Sequence, residues 1–180
     1  MKYVIAHLIS EPLKTYQKTL MKQLSRTFGV RDITKQIMPH LTIKEPFTTD
    51  DIDAVSPVIE EIALETKPIA YRVHRFSHFD DRLLYLDVEA PQEMIDVAEC
   101  VKERLQSFDD ISFSEFDGKD ITYHATLCYA KNSLFSDIKS CLSKQEIPPF
   151  NMTFDNIAIL QRTKKRWNIY RQFSLDHNNP

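Results

Sequence analysis

The sequence points to an α+β domain of two intertwined lobes, each contributing one functional strand, on three grounds. Segments alternate in the order strand, helix, strand, helix, hairpin, helix, strand, helix, hairpin. Two His-x-Thr triplets, His40-Leu41-Thr42 and His124-Ala125-Thr126, stand 84 residues apart, each shortly followed by a helix, so the halves echo one another. Finally, 180 residues with 42% hydrophobic content supply one sizeable core, which makes residues 1–180 a single domain rather than several.

Each element has its own signal. Residues 2–9 form an apolar strand, and residues 11–28 carry Leu13, Tyr16, Leu20 and Leu24 at helical spacing with Gly29 as a C-terminal cap. Residues 37–44 alternate as a strand, with Leu41 and Ile43 on one face and His40, Thr42 and Lys44 on the other. Thr49-Asp50-Asp51 opens a helix running to about Glu65, whose beginning Pro57 leaves open. Residues 69–76 and 83–89 read as a hairpin around Asp80-Asp81. Met94, Ala98, Val101 and Leu105 then mark a helix over 91–106 with Pro91 in its first turn. Residues 121–129 repeat the strand pattern around the second triplet, and residues 134–142 form a short helix. Strands over 150–161 and 167–175 flank the basic turn Arg162-Thr163-Lys164-Lys165-Arg166.

Composition excludes several function classes. With only Gly29 and Gly118, against about 7% glycine in average proteins, the chain has no glycine-rich phosphate loop, which removes the usual ATP and dinucleotide readings. A net charge of −3 is not the basic surface that duplex DNA requires, so an anionic ligand must be met locally by side chains. No apolar run is long enough for a membrane span, the start of the chain reads as mature sequence, and Cys100, Cys128 and Cys141 do not make a disulfide framework. A soluble, reducing, cytoplasmic setting is expected.

On a strand, residues i and i+2 share a side about 7 Å apart, so each histidine stands beside its threonine hydroxyl. Two such pairs converging on one phosphorus would supply a base for the attacking oxygen, an acid for the leaving oxygen and two hydroxyls for the non-bridging oxygens. An imidazole pKa near 6.5 lets one ring be neutral and the other charged near neutrality. No metal or cofactor is required. The spacing alone is a weak signal, since a chain this rich in histidine and threonine yields such triplets by chance; the matched strand context in both halves strengthens it.

Pro39-His40-Leu41-Thr42-Ile43, Tyr123-His124-Ala125-Thr126-Leu127, the opening strand 3–9 and the closing Trp167-x-Ile169-Tyr170-x-x-Phe173-x-Leu175 together resemble the two-histidine (2H) phosphoesterase superfamily. That superfamily includes the 2'-5' RNA ligase-like proteins and cyclic nucleotide phosphodiesterases. The resemblance implies two pseudo-symmetric lobes of antiparallel sheet with helices outside and a central cleft. It also implies metal-independent action on 2',3'-cyclic phosphates or on 2'-5' linked nucleotides at RNA ends, with His40, Thr42, His124 and Thr126 as the catalytic residues. The partner is then a nucleotide or RNA terminus carrying a phosphodiester or cyclic phosphate, without duplex DNA or membrane. The second reading, from a different class, is a non-catalytic binder of RNA ends or nucleotides using the same cleft.

Lys44, Arg162, Lys164 and Trp167 are further substrate-binding candidates, the last three because charge beside an aromatic plane suits a single-stranded nucleic acid. Lys44 serves as well as a solvated strand lysine, and the basic turn as a solvated hairpin tip. His74 and His78 have metal-like spacing but lack a third ligand, and Cys128 and His7 read as packing.

Overall fold

In the computed structural model, which describes residues 1–175, eight strands build two four-stranded antiparallel sheets. The first sheet has β1 (Lys2–Leu8), β2 (His40–Thr48), β7 (Asn156–Thr163) and β8 (Arg166–Ser174) in the order β2-β1-β7-β8. The second has β3 (Ile69–Phe79), β4 (Leu83–Glu89), β5 (His124–Tyr129) and β6 (Phe150–Phe154) in the order β5-β4-β3-β6. Four helices complete the chain: α1 (Leu13–Phe28), α2 (Ile52–Glu65), α3 (Gln92–Leu105) and α4 (Asn132–Leu142).

The lobes are intertwined because helices cross between them. Although α1 follows a strand of the first sheet, it rests against β5 of the second, while α3 follows β4 and rests against β2. Helix α1 turns Leu13, Gln17, Leu20, Met21 and Leu24 inward and stops at Gly29, whose φ of +69° lets its N–H reach Ser25 O at 3.0 Å. Asp51 caps α2 by accepting from Ala54 N at 3.0 Å, so this helix starts where the Thr-Asp-Asp signal placed it, and Pro57 lies inside it. The apolar residues of α3 at the expected spacing, Met94, Ala98, Val101 and Leu105, are all buried.

Three strand expectations are corrected. The run 150–161 is two strands belonging to different sheets, divided at Asp155, where the Asn156 side chain accepts from Leu8 N at 2.9 Å and donates to Leu8 O at 3.1 Å. An apolar pattern continues through such a crossing because both sheets face one core. Residues 37–39 and 121–123 are not strand; both triplets open their strands instead of lying within them. No helix among the described residues is long and apolar enough to cross a membrane.

His7, on β1, ties the sheets together: its Nδ1 donates to Asn156 O at 3.1 Å and its Nε2 accepts from Tyr71 Oη of β3 at 3.3 Å. It is fully buried, and desolvation pushes its pKa down to about 4, against the raising influence of the Asn156 carbonyl and Asp155. The unfolded chain, with a histidine pKa near 6.5, therefore binds the extra proton between these values. The contribution is complete above pH 6.5 and is lost as pH falls toward 4, amounting to about 2 kcal/mol between pH 7.5 and pH 5. Urea unfolding at the two pH values measures the loss, and an NMR titration that found the His7 ring protonating near pH 6.5 would refute its cause.

Candidate active site

The two triplet strands are edge strands of their own sheets, and the β2 edge lies beside the β5 edge. This arrangement brings His40, Thr42, His124 and Thr126 to the lining of one cavity of about 430 Å³. In each strand the histidine is the first residue and is fixed in the same way. His40 Nδ1 is 2.9 Å from Met38 O, and His124 Nδ1 is 2.8 Å from Thr122 O, the carbonyl two residues upstream in both cases. A carbonyl can only accept, so each Nδ1 carries a proton and each Nε2 is left available to a ligand.

The rings differ in surroundings. Burial lowers the His40 pKa, the Met38 carbonyl opposes this, and positive charge on His124 lowers it further. Both rings line the same cavity. Burial also lowers His124, opposed by the Thr122 carbonyl. That ring packs against the touching pair Phe79 and Tyr85, with centroids 5.0 and 5.2 Å away. Gln17 of α1 fixes the second triplet from behind, its Nε2 donating to Thr126 O at 2.9 Å.

Arg31, Arg162 and Lys165 are among the residues that line the cavity. Arg31, from the loop after α1, donates to Gln36 Oε1 at 2.7 Å, and Gln36 O accepts from Trp167 N at 2.7 Å, joining that loop to the β7–β8 hairpin. Arg162 lies 5.8 Å from the Trp167 ring centroid, and both residues line the cavity together with Lys165. Lys164, expected here, is not among the lining residues: it occupies the hairpin tip with φ of +52°, and Lys165 takes its place.

Lys44 requires a larger correction. Its side chain is buried and does not share the face of His40 and Thr42. The β1–β2 register pairs Ala6 with Thr42 but Ile5 with Lys44, so a bulge at Ile43 inserts one residue and turns Lys44 toward the core. There its Nζ donates to Asp117 Oδ2 at 2.8 Å and to Ser112 O at 2.9 Å, with the Phe113 ring centroid 4.7 Å away. Asp117 also accepts from Glu45 N and Ser114 N, at 2.8 and 2.7 Å. Gly118 follows at φ of +80°, where an added Cβ would collide with the Glu99 carboxylate, so the loop bearing Asp117 packs tightly on α3.

The β5 strand does the same thing at the same place. Tyr85 pairs with Thr126 but Leu84 with Cys128, so a bulge at Leu127 turns Cys128 inward, where burial raises its thiol to about 11. In both strands the residue three beyond the threonine consequently reaches the cavity: Glu45 after Thr42, and Tyr129 after Thr126. These two, with Arg31 and Gln36, are lining residues that sequence reasoning missed. A strict period of two hides the first pair, and a loop without a motif hides the second. His74 and His78 find separate partners: Glu89 at 3.7 Å for His74, and the Asp80 carbonyl and Lys139 for His78.

Comparison with known proteins agrees with this architecture. The profile of the 2'-5' RNA ligase superfamily matches residues 10–166. A curated protein of Geobacillus sp. strain WCH70, named as a candidate phosphoesterase, is 30% identical, covering 96% of this chain and 95% of its own. A similarly named protein of Oceanobacillus iheyensis is 29% identical, covering 97% and 98%. Among solved structures, TT0787 of Thermus thermophilus aligns with a TM-score of 0.68 at 15% identity over 99% of this chain and all of its own. E. coli LigT complexed with 3'-AMP aligns with a TM-score of 0.57 at 11% identity over 96% of each chain. These structural likenesses show a shared fold.

Proposed function

The chain belongs to the 2'-5' RNA ligase superfamily, the 2H phosphoesterases, and within it we propose a metal-independent phosphoesterase acting on 2',3'-cyclic phosphates or on 2'-5' linked nucleotides at RNA ends. The observation that carries this reading is the pair of equivalent imidazoles lining one cavity, each tethered through Nδ1 and offering Nε2.

His40 is the base in the hydrolytic direction. Its charged form is disfavoured twice, by burial and by the charge of its neighbour, whereas burial alone disfavours the charged form of His124. His40 Nε2 removes a proton from water as the water oxygen bonds to phosphorus. The bond from phosphorus to the ribose oxygen breaks, and His124 Nε2 delivers its proton to that departing oxygen, leaving a phosphomonoester. Thr42 and Thr126 hydroxyls hold the non-bridging oxygens as negative charge grows on them. Arg31, Arg162 and Lys165 draw the anion in, and the Trp167 ring offers a base a stacking surface. A nucleotide also occupies LigT in its 3'-AMP complex, which supports a nucleotide ligand for this cleft.

Turnover of nucleoside 2',3'-cyclic phosphates in the presence of EDTA tests the proposal. Because both imidazoles are lowered in the free protein, the acid His124 loses its proton below the ordinary histidine range. The bell of kcat/KM, which reports the free protein, should therefore peak below pH 6.5. A bound phosphate anion favours the charged rings, so the kcat bell should peak at higher pH. A kcat/KM maximum above pH 7.5 would contradict the assignment, and binding without any turnover would leave the cleft a nucleotide binder.

A further inference from the structure

We propose that Glu45 and Tyr129 form a nucleobase subsite selective for guanine, with Tyr129 stacking on the base and Glu45 accepting from its two-donor edge. The proposal rests on the nucleotide-directed phosphoesterase reading of the cleft, which the reacting phosphate and its triplets define.

The placement of the two residues is the first argument. Twin bulges, one residue past each threonine, bring Glu45 and Tyr129 to corresponding positions on the adjoining edge strands, so that both line the cavity that holds the triplets. The Tyr129 phenol pKa is raised first by desolvation of its oxygen, although most of the residue's surface is open, and then by the charge of Glu45.

Chemical availability is the second. Tyr129 is 63% exposed, which is unusual for a large aromatic ring and leaves a face for a ligand. Glu45 has its backbone fully engaged, the N–H on Asp117 Oδ1 at 2.8 Å and the carbonyl on Lys44 Nζ at 3.3 Å. Its carboxylate, in contrast, has no hydrogen-bond or ion-pair partner among the described residues, although it is half-buried and close to the charge of Asp117. A group in that state gains from any donor a ligand presents.

What the ligand presents there cannot be its phosphate, since two anions repel; the anion belongs with the triplets, Arg31, Arg162 and Lys165. Of the four bases, guanine alone offers two parallel donors, N1–H and N2–H, matching the two oxygens of a carboxylate. Adenine and cytosine offer one amino group beside a ring acceptor that a carboxylate repels, and uracil offers one N–H between two carbonyls. Stacking on Tyr129 is indifferent to the base, so Glu45 supplies the selection.

Isothermal titration with the 3'-monophosphates of guanosine, adenosine, cytidine and uridine tests this on the whole chain. Guanosine 3'-phosphate is expected to bind about tenfold or more tighter than the uridine compound. Glu45→Gln, which replaces one acceptor with a donor, is expected to bring that ratio below about three, and Tyr129→Ala to weaken guanosine 3'-phosphate about tenfold. Equal binding of the four by the wild-type chain, or a guanine preference that survives Glu45→Gln, overturns the proposal. Turnover of the four nucleoside 2',3'-cyclic phosphates by the same preparation separates the two ideas. Turnover without base preference overturns the subsite alone, and guanosine preference without turnover supports the subsite while overturning the phosphoesterase reading.

Discussion

Replacing either His40 or His124 with alanine is expected to lower kcat on a cyclic phosphate by about 10²- to 10⁴-fold, the ordinary contribution of one positioned proton transfer. Both losses should be similar in size, because both rings are held alike, Nδ1 on a backbone carbonyl and Nε2 on the cavity. The double variant should lose less than the product of the single effects, since an acid without its base already forfeits most of the advantage of the pair. Steady-state kinetics on the three variants, with melting curves to confirm folding, is the measurement. Full activity in either single variant would remove that ring from the mechanism. The low-pH limb of the profile should vanish in His40→Ala, where no base remains to be protonated, and the high-pH limb in His124→Ala.

The second large effect concerns stability. Lys44→Ala is expected to destabilise the protein by about 3 to 5 kcal/mol, because removing one partner of a buried ion pair leaves the other charge uncompensated. Lys44 and Asp117 are both essentially inaccessible, their side chains 2% and 0% exposed, and no water can replace the lost ammonium cheaply. Against a typical total of about 5 to 15 kcal/mol, that loss is severe. The pair also joins β2, the strand of the first triplet, to the 112–118 loop that precedes the second, so the variant should loosen the cleft along with the fold. Urea unfolding reads the effect. A variant of unchanged stability with weakened phosphate binding would restore Lys44 to the cleft and refute its buried placement.

Much of this molecule is legible in its sequence. The helical spacing of Leu13, Leu20 and Leu24 and the glycine that ends it locate α1, and the Asp51 cap locates the start of α2. The triplets identify the four residues that meet in the cavity, since a histidine and a threonine two apart on a strand must share a face. Less legible is anything that depends on register. A single inserted residue reverses every side chain beyond it, so alternation placed Lys44 beside its triplet, whereas bulges turn Lys44 and Cys128 inward and put Glu45 and Tyr129 at the cavity instead. Nor does an apolar run reveal a change of sheet, and the two strands read as one over 150–161 illustrate this.

Local spacing and residue type gave most of the elements, the family resemblance and the expectation that His40, Thr42, His124 and Thr126 share one site, and all of these can be read along the chain. Packing had to settle the rest: that β2 and β5 are neighbouring edges, that Lys44 neutralises Asp117 inside the core, and that Arg31, Glu45 and Tyr129 reach the cleft. The difference is one of range. Periodicity records what each residue faces within its own strand or helix, while pairing between segments far apart in the chain is fixed only when the whole core packs.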